Sequence, residues 1–296
     1  MFRVLLFALL LLSSCLQTAL HSNRCSQYIK AKEYKKAIDA GERALDLYPR
    51  NTDQYVCVSD AYLQSGDLDS AIETIMRAEK FAPSYEDLAV IYNRLGFMYR
   101  LKGDLERSMM YHKKHFALSH EIGDTKGMVV SLINIANIYQ EKDELEEALS
   151  YYKSSLEVSE EREDISFIHA SMADIYSRMK RYKEAIKHYK IYAEYAKEAG
   201  DKHLYAKALL NLGDTYRSMG DFERSLDYLN EGLLKAKNLR DRRIQAYAYR
   251  TLGFLYRDKG DKNKAKFYLE KAIGIYGELG LKDDIKELSY ELRKLK

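Results

Sequence analysis

The stretch Ala206–Gly232, AKALLNLGDTYRSMGDFERSLDYLNEG, decides the architecture. Leu212, Gly213 and Tyr216 stand at i, i+1 and i+4, so a helix here sets two large side chains on one face beside a position with no side chain. A second helix can come close at that point. Gly220 suits a left-handed helix end, and the Asp221 carboxylate suits the N-cap of a following helix, where it can accept from free backbone amides. In that following helix Ser225, Leu229 and Gly232 stand at i, i+4 and i+7, a small–large–small stripe. The stretch therefore reads as two antiparallel helices joined by a tight turn.

Working outward, the same unit recurs seven times. The small residue represented by Gly213 recurs as Cys25, Ser59, Gly96, Ala136, Ala173, Gly213 and Gly253, at intervals of 34, 37, 40, 37, 40 and 40. Three residues further there is always a tyrosine: Tyr28, Tyr62, Tyr99, Tyr139, Tyr176, Tyr216 and Tyr256. Twelve residues beyond the small position stand Ala37, Ala71, Ser108, Ala148, Ala185, Ser225 and Ala265, all small. A chain that repeats itself buries its core between neighbouring copies, so length does not set a domain count here. Only two prolines, Pro49 and Pro83, and abundant Ala, Leu, Glu and Lys argue for an all-helical chain. The 48 basic and 45 acidic residues are intermixed along the helices, so no basic face for nucleic acid is indicated.

Leu-Gly-x-x-Tyr in a first helix and Ala-x-x-x-large in a second resembles the tetratricopeptide repeat, over nearly the whole chain beyond its N-terminal segment. The resemblance implies an all-α, right-handed α-solenoid of seven helix hairpins. The consensus tryptophan is absent, Tyr55 standing in its place in the second copy. Pro49 and Pro83 close the first two copies, whereas later connections read Gly123-Asp124, Glu163-Asp164, Gly200-Asp201 and Arg240-Asp241. These longer copies resemble the repeats of kinesin light chains and of G-protein-signalling modulators. The expected layout is two 34-residue-type repeats over 21–83 and five longer ones over 84–278. A capping helix over 281–296 follows, with Ile285, Leu288, Leu292 and Leu295 on its apolar side.

The N-terminus is a different substance. Met1-Phe2-Arg3 is followed by the apolar run Val4 to Leu12, long enough for a signal-peptide core and too short to span a bilayer. It ends Leu12-Ser13-Ser14-Cys15, which resembles the bacterial lipobox and implies a 1–14 signal peptide and lipidation of Cys15. An ordinary cleaved signal peptide and a fortuitous apolar start are the other readings. With 15–20 as a short tether, the array would lie close to a membrane, probed by a connection of about 15–18 Å at most. Cys25 and Cys57 sit on first helices of adjacent repeats, and two small buried thiols are expected in preference to a disulfide.

Residues for chemistry are sparse. His112, His115 and His120 share one helix, the first two at packing positions, so packing or partner-facing roles are expected rather than a metal. Glu146 with Glu147, and Glu160 with Glu161, read as solvated charge. No phosphate loop or nucleophile motif is present, so no enzyme activity, cofactor or metal is expected.

In the tetratricopeptide family, positions around the Leu-Gly pair of the first helix face the concave groove. Here the resemblance implies Arg94, Phe97 and Arg100; Asn134, Asn137 and Gln140; Asn211, Asp214 and Arg217; and Phe254 with Arg257. The fifth repeat contributes Ser171, Asp174 and Ser177, and the seventh Thr251. Asn134, Asn137 and Asn211 match the asparagine ladder that holds an extended main chain in kinesin light chains, the other reading of Asn211 being a cap or bridge between neighbouring helices, and the three arginines suit acidic partner groups. The expected role is a membrane-tethered adaptor for a peptide or envelope protein, facing the periplasm from the outer membrane. Alternatives are an assembly factor resembling pilotins or peptidoglycan-hydrolase adaptors and, without a true lipobox, a cytoplasmic peptide-sensing regulator. A homo-oligomer stays open.

Overall fold

The computed structural model describes residues 24–295. The lipobox-like segment with Cys15, and the whole of its tether, lie outside those residues. The chain packs as two compact units, Met1–Val158 and Ser159–Lys296. Among the described residues there are fifteen helices and no strand, and none is long and apolar enough to cross a membrane.

The first unit holds four hairpins: α1 (24–30) with α2 (Tyr34–Leu47), α3 (Thr52–Ser65) with α4 (Leu68–Glu79), α5 (Tyr85–Leu101) with α6 (Leu105–Glu121), and α7 (Thr125–Glu141) with α8 (Leu145–Val158). The second holds α9 (Arg162–Arg178) with α10 (Tyr182–Glu198), α11 (Lys202–Met219) with α12 (Phe222–Asn238), and α13 (Arg242–Asp258) with α14 (Lys262–Glu278). It closes on α15 (Lys282–Lys294). Within each unit every helix from α2 onward packs on the next, and first helices also meet across hairpins, α5 on α7 and α11 on α13. This is the all-α solenoid of stacked helix hairpins. The change of repeat length at Pro83 to Asp87 falls inside the first unit, and the division comes later, after α8.

Local chemistry explains the hairpins. Asp67, Asp104, Asp124, Asp201, Asp221, Asp241 and Asp261 each cap a helix by accepting from the amide three residues on. Such caps satisfy amides that have no intrahelical partner. Gly220 ends α11 in the left-handed region, with φ 88°. One connection differs from expectation: Glu163 and Asp164 lie inside the first turn of α9, and the turn is made by residues 159–161. Acidic residues without a glycine suit the first turn of a helix better than a break.

The recurring small residues are buried throughout: Ala37, Ala71, Ser108, Ala148, Ala185, Ser225 and Ala265 have no solvent exposure. A Cβ on Gly213 would stand 2.6 Å from Leu229 Cγ, and one on Gly253 would stand 2.6 Å from Leu269 Cγ. The second helix thus presses a branched side chain into the space the glycine leaves. Gly213→Ala is therefore expected to cost about 1–3 kcal/mol through overpacking, read as a lower denaturant midpoint with unchanged helical content. Unaltered stability would show that α12 can step away freely. The tyrosines three residues on are none of them exposed. In the five longer repeats each stacks on an aromatic ring twelve residues later, as in Tyr99–Tyr111, Tyr139–Tyr151, Tyr216–Tyr228 and Tyr256–Tyr268, at centroid distances of 5.2–5.5 Å. Tyr176 stacks instead on His188, at 5.3 Å.

Two cysteine and histidine expectations meet different fates. Cys25 and Cys57 form a disulfide, with Cα atoms 6.3 Å apart, so the free-thiol reading is corrected. The two cysteines are not at equivalent positions, since Cys57 precedes the small residue Ser59 by two. That offset, with small buried neighbours Ala37 and Ala61 in the same cluster, lets α1 and α3 approach closely. His112 and His115 are buried packing residues, and His120 is exposed. Among the described residues no three His, Cys, Asp or Glu side chains converge.

Candidate peptide-binding face

Residues two before, one after and four after the small position lie three apart on a first helix, hence on one face. In the first unit that face carries Arg94, Phe97 and Arg100 of α5 and Asn134, Asn137 and Gln140 of α7. Arg94 is paired with Asp60 of α3, and Arg100 with Glu141 of α7 at 3.0 Å. Phe97 remains 41% exposed between them. Asn134 Nδ2 donates to Asn93 Oδ1 at 3.5 Å. Tyr152, rising from the second helix α8, donates its hydroxyl to Asn137 Oδ1 at 2.5 Å, and the same hydroxyl lies 3.5 Å from Gln140 Oε1. With its carbonyl oxygen engaged, the Asn137 amide keeps its NH2 group as the donor end of the side chain.

The second unit repeats this device. Tyr189 of α10 donates to Asp174 of α9, and Tyr247 of α13 donates to Asn211 Oδ1 of α11 at 3.2 Å. Desolvation raises the Asp174 carboxyl above its ordinary range, although the Tyr189 hydrogen bond opposes this. Desolvation, reinforced by Asp174, likewise pushes the Tyr189 phenol upward, so Tyr189 stays a neutral donor at any working pH.

Further along, Arg217 joins Asp214 at 2.8 Å and Asp258 at 2.5 Å. Burial opposes its charge, but the two carboxylates hold the guanidinium above its ordinary pKa. Arg257 pairs with Glu291 of α15 at 2.8 Å and with Asp258 at 2.8 Å, and Arg250 pairs with Glu287 at 2.8 Å. Phe254 sits among all three arginines, their guanidinium carbons 5.9, 5.1 and 4.8 Å from its ring centre. The aromatic face and the cations hold one another in place. Thus Arg100, Arg217 and Arg257 are each engaged by a carboxylate of the following first helix, so an acidic partner group would enter by exchange.

Tyr152, Tyr189, Tyr247 and Arg250 belong to this face and escape a reading confined to the family's positions. A signal for the first two is present. Sixteen residues after the small position stand Gly41, Ile75, His112, Tyr152, Tyr189, Leu229 and Leu269. Where that residue is Leu or His the small position is Gly; where it is Tyr the small position is Ala, followed by Asn137 or Asp174. A leucine or an imidazole fills the glycine space, whereas the longer phenol passes an alanine toward the polar residue beside it.

Stacked antiparallel hairpins with polar, aromatic-braced first-helix faces define a helical-repeat scaffold. Family models described as tetratricopeptide repeat match residues 87–161 and 164–238, and again 58–85 and 246–278; the chain belongs to the tetratricopeptide repeat family. No curated protein sequence matches it. Among solved structures, apo RapI is similar over 94% of this chain and 86% of its own, with 16% identity and a TM-score of 0.74. A signal-transduction ATPase with numerous domains and a tetratricopeptide repeat sensor, from Pyrococcus horikoshii, is similar over 95% of this chain at 20% identity and TM-score 0.67. This chain spans 46% of that ATPase. PilW, a type IV pilus biogenesis factor, is similar over 77% of this chain and 96% of its own, with 18% identity and a TM-score of 0.58. At these identities the likeness is one of fold.

Proposed function

We propose that the chain is a non-enzymatic tetratricopeptide adaptor, lipid-anchored through Cys15 in a bacterial envelope, whose first-helix faces hold an extended segment of a partner protein. The observation that carries this reading is the orientation of the asparagine rungs. Asn137 and Asn211 each have the amide oxygen engaged by a tyrosine hydroxyl, leaving NH2 donors for main-chain carbonyls without a demand on sequence. Selecting a random peptide library on the full chain should enrich binders whose affinity falls at least tenfold in an Asn134→Ala/Asn137→Ala/Asn211→Ala variant, while helical signal and melting stay unchanged. Equal binding by the variant would remove the reading.

The anchor is supported by two separate features, the Leu12-Ser13-Ser14-Cys15 motif and the Cys25–Cys57 disulfide. Disulfides persist in oxidising compartments such as a periplasm, where the outer membrane is the expected seat. Cys15→Ser should shift the protein from the membrane to the soluble fraction and abolish the acyl mass on the N-terminal peptide; membrane retention by the variant would count against lipidation. The fold likeness to PilW favours a second reading, an assembly factor for an outer-membrane machine. Under it, the asparagine variant would keep its partner while substitutions on the opposite helices would lose it.

A further inference from the structure

The hairpin α9–α10 departs from its neighbours at two aromatic positions. Four residues before the small position stand Tyr92, Leu132, His169, Leu209 and Tyr249 in the longer repeats, and fifteen after it stand Tyr111, Tyr151, His188, Tyr228 and Tyr268. In the third and seventh repeats these positions bring two tyrosine rings together, at 6.0 and 6.2 Å. In the fifth they bring His169 and His188 together, ring centres 5.0 Å apart and the two Nδ1 atoms at 2.8 Å.

We propose that His169 and His188 form a two-histidine site for a divalent late first-row metal ion, Cu(II) before Zn(II). With metal–nitrogen bonds of about 2.0–2.1 Å, two nitrogens 2.8 Å apart subtend an angle of about 90° at a metal. That is the cis angle of a tetragonal Cu(II) centre and narrower than a tetrahedral Zn(II) centre prefers. The order of intrinsic affinity runs the same way.

The hairpin supplies two nitrogens and leaves the other positions to water. Arg181 lies over Tyr176 at 4.8 Å and Arg162 over Tyr195 at 5.1 Å, and those rings flank the histidine pair. With two protein nitrogens the site is exchangeable, distinct from a structural centre of four protein ligands that holds a fold together.

The repeats themselves supply variants that preserve packing, His169→Tyr as in Tyr92 and Tyr249, and His188→Tyr as in Tyr111 and Tyr268. Titrating the full chain with Cu(II) should show one equivalent whose spin-resonance spectrum carries nitrogen coupling. Each variant should weaken that binding at least tenfold and reduce the coupling from two nitrogens to one, with the melting temperature of the metal-free chain nearly kept. His203→Ala, at an exposed histidine on the next hairpin, should leave it unchanged. Cu(II) binding that persists undiminished in both tyrosine variants, tighter binding of Zn(II) than of Cu(II), or no bound equivalent in the parent chain would overturn the assignment.

Discussion

Replacing His112 by leucine raises the stability of the first unit, and raises it most in acid. His112 is fully buried, and both its ring nitrogens lack a hydrogen-bond partner. Its ring lies in the space opposite Gly96, where an added Cβ would come within 2.6–2.7 Å of three ring atoms. Leu229 and Leu269 occupy the same position opposite Gly213 and Gly253, so leucine fits the site without rebuilding it. Relieving the unpartnered nitrogens is worth about 1–3 kcal/mol at neutral pH. Burial first, then the nearby His115 and Arg100, lower the His112 pKa from 6.5 to about 4. Above the upper value the ring is neutral in folded and unfolded chains alike, and its titration contributes nothing. As pH falls, the unfolded chain takes up the proton first, so stability is lost across the interval and the loss levels off below the lower value. The loss amounts to about 3 kcal/mol. Chemical denaturation of parent and His112→Leu chains between pH 7.5 and 4 should therefore give lines that diverge in acid. Parallel lines would mean that His112 finds a partner or a proton in the folded state.

Much of the fold is legible in a single row of letters because hairpin packing depends on residue size at fixed spacing. Ser59, Ala136 and Gly213 announce first helices, and Ala71, Ala148 and Ser225 their partners, because helix backbones approach only over small side chains. Asp221 and Gly220 announce a turn because a cap and a left-handed φ have few other residues to serve them. Glu163-Asp164 misleads for a related reason: acidic residues serve the first turn of a helix as well as its cap, and no glycine arbitrates there. The division after Val158 has a faint trace in the 37-residue interval from Ala136 to Ala173, which shortens α8 to 14 residues against 17 in α6 and α10.

Site residues are harder to read than helices. Family positions lead to Asn137 and Asn211, yet what orients their amides comes from elsewhere: Tyr152 fifteen residues on, and Tyr247 in the next repeat. Arg100 and Arg217 look available for a partner as letters. In three dimensions each is engaged by an acid 41 residues later, Glu141 and Asp258. Such pairings need the rise and offset between successive first helices, which no local pattern contains. The His169–His188 pair hides for the same reason, since 19 residues separate two rings that share a hydrogen bond.

Opening the Cys25–Cys57 bond should loosen the first hairpin and leave the second unit untouched. The bond closes a loop across a sequence separation of 32, and a loop of that size restricts the unfolded chain by about 3–4 kcal/mol. Little else holds this end. The described part of α1 covers residues 24–30, two turns at most, and so short a helix is not stable by itself. Its buried cluster is Cys25, Ala37, Cys57 and Ala61, with Tyr28, Ile29 and Ile38 only partly covered. Amide exchange across α1 and α2 should accelerate by two to three orders of magnitude in a Cys25→Ala/Cys57→Ala variant, as about 3–4 kcal/mol requires. Protection in α11 to α14 should not change. Adding reductant to the parent chain separates the bond from the packing of its sulfurs and should have nearly the same effect. Equal protection in oxidised and reduced chains would show that apolar contacts alone seat the hairpin, and the disulfide would then lend no support to an oxidising compartment. Faster exchange on reduction implies the converse: in a reducing compartment the chain would lose its first hairpin, and the first-helix face would begin at α3.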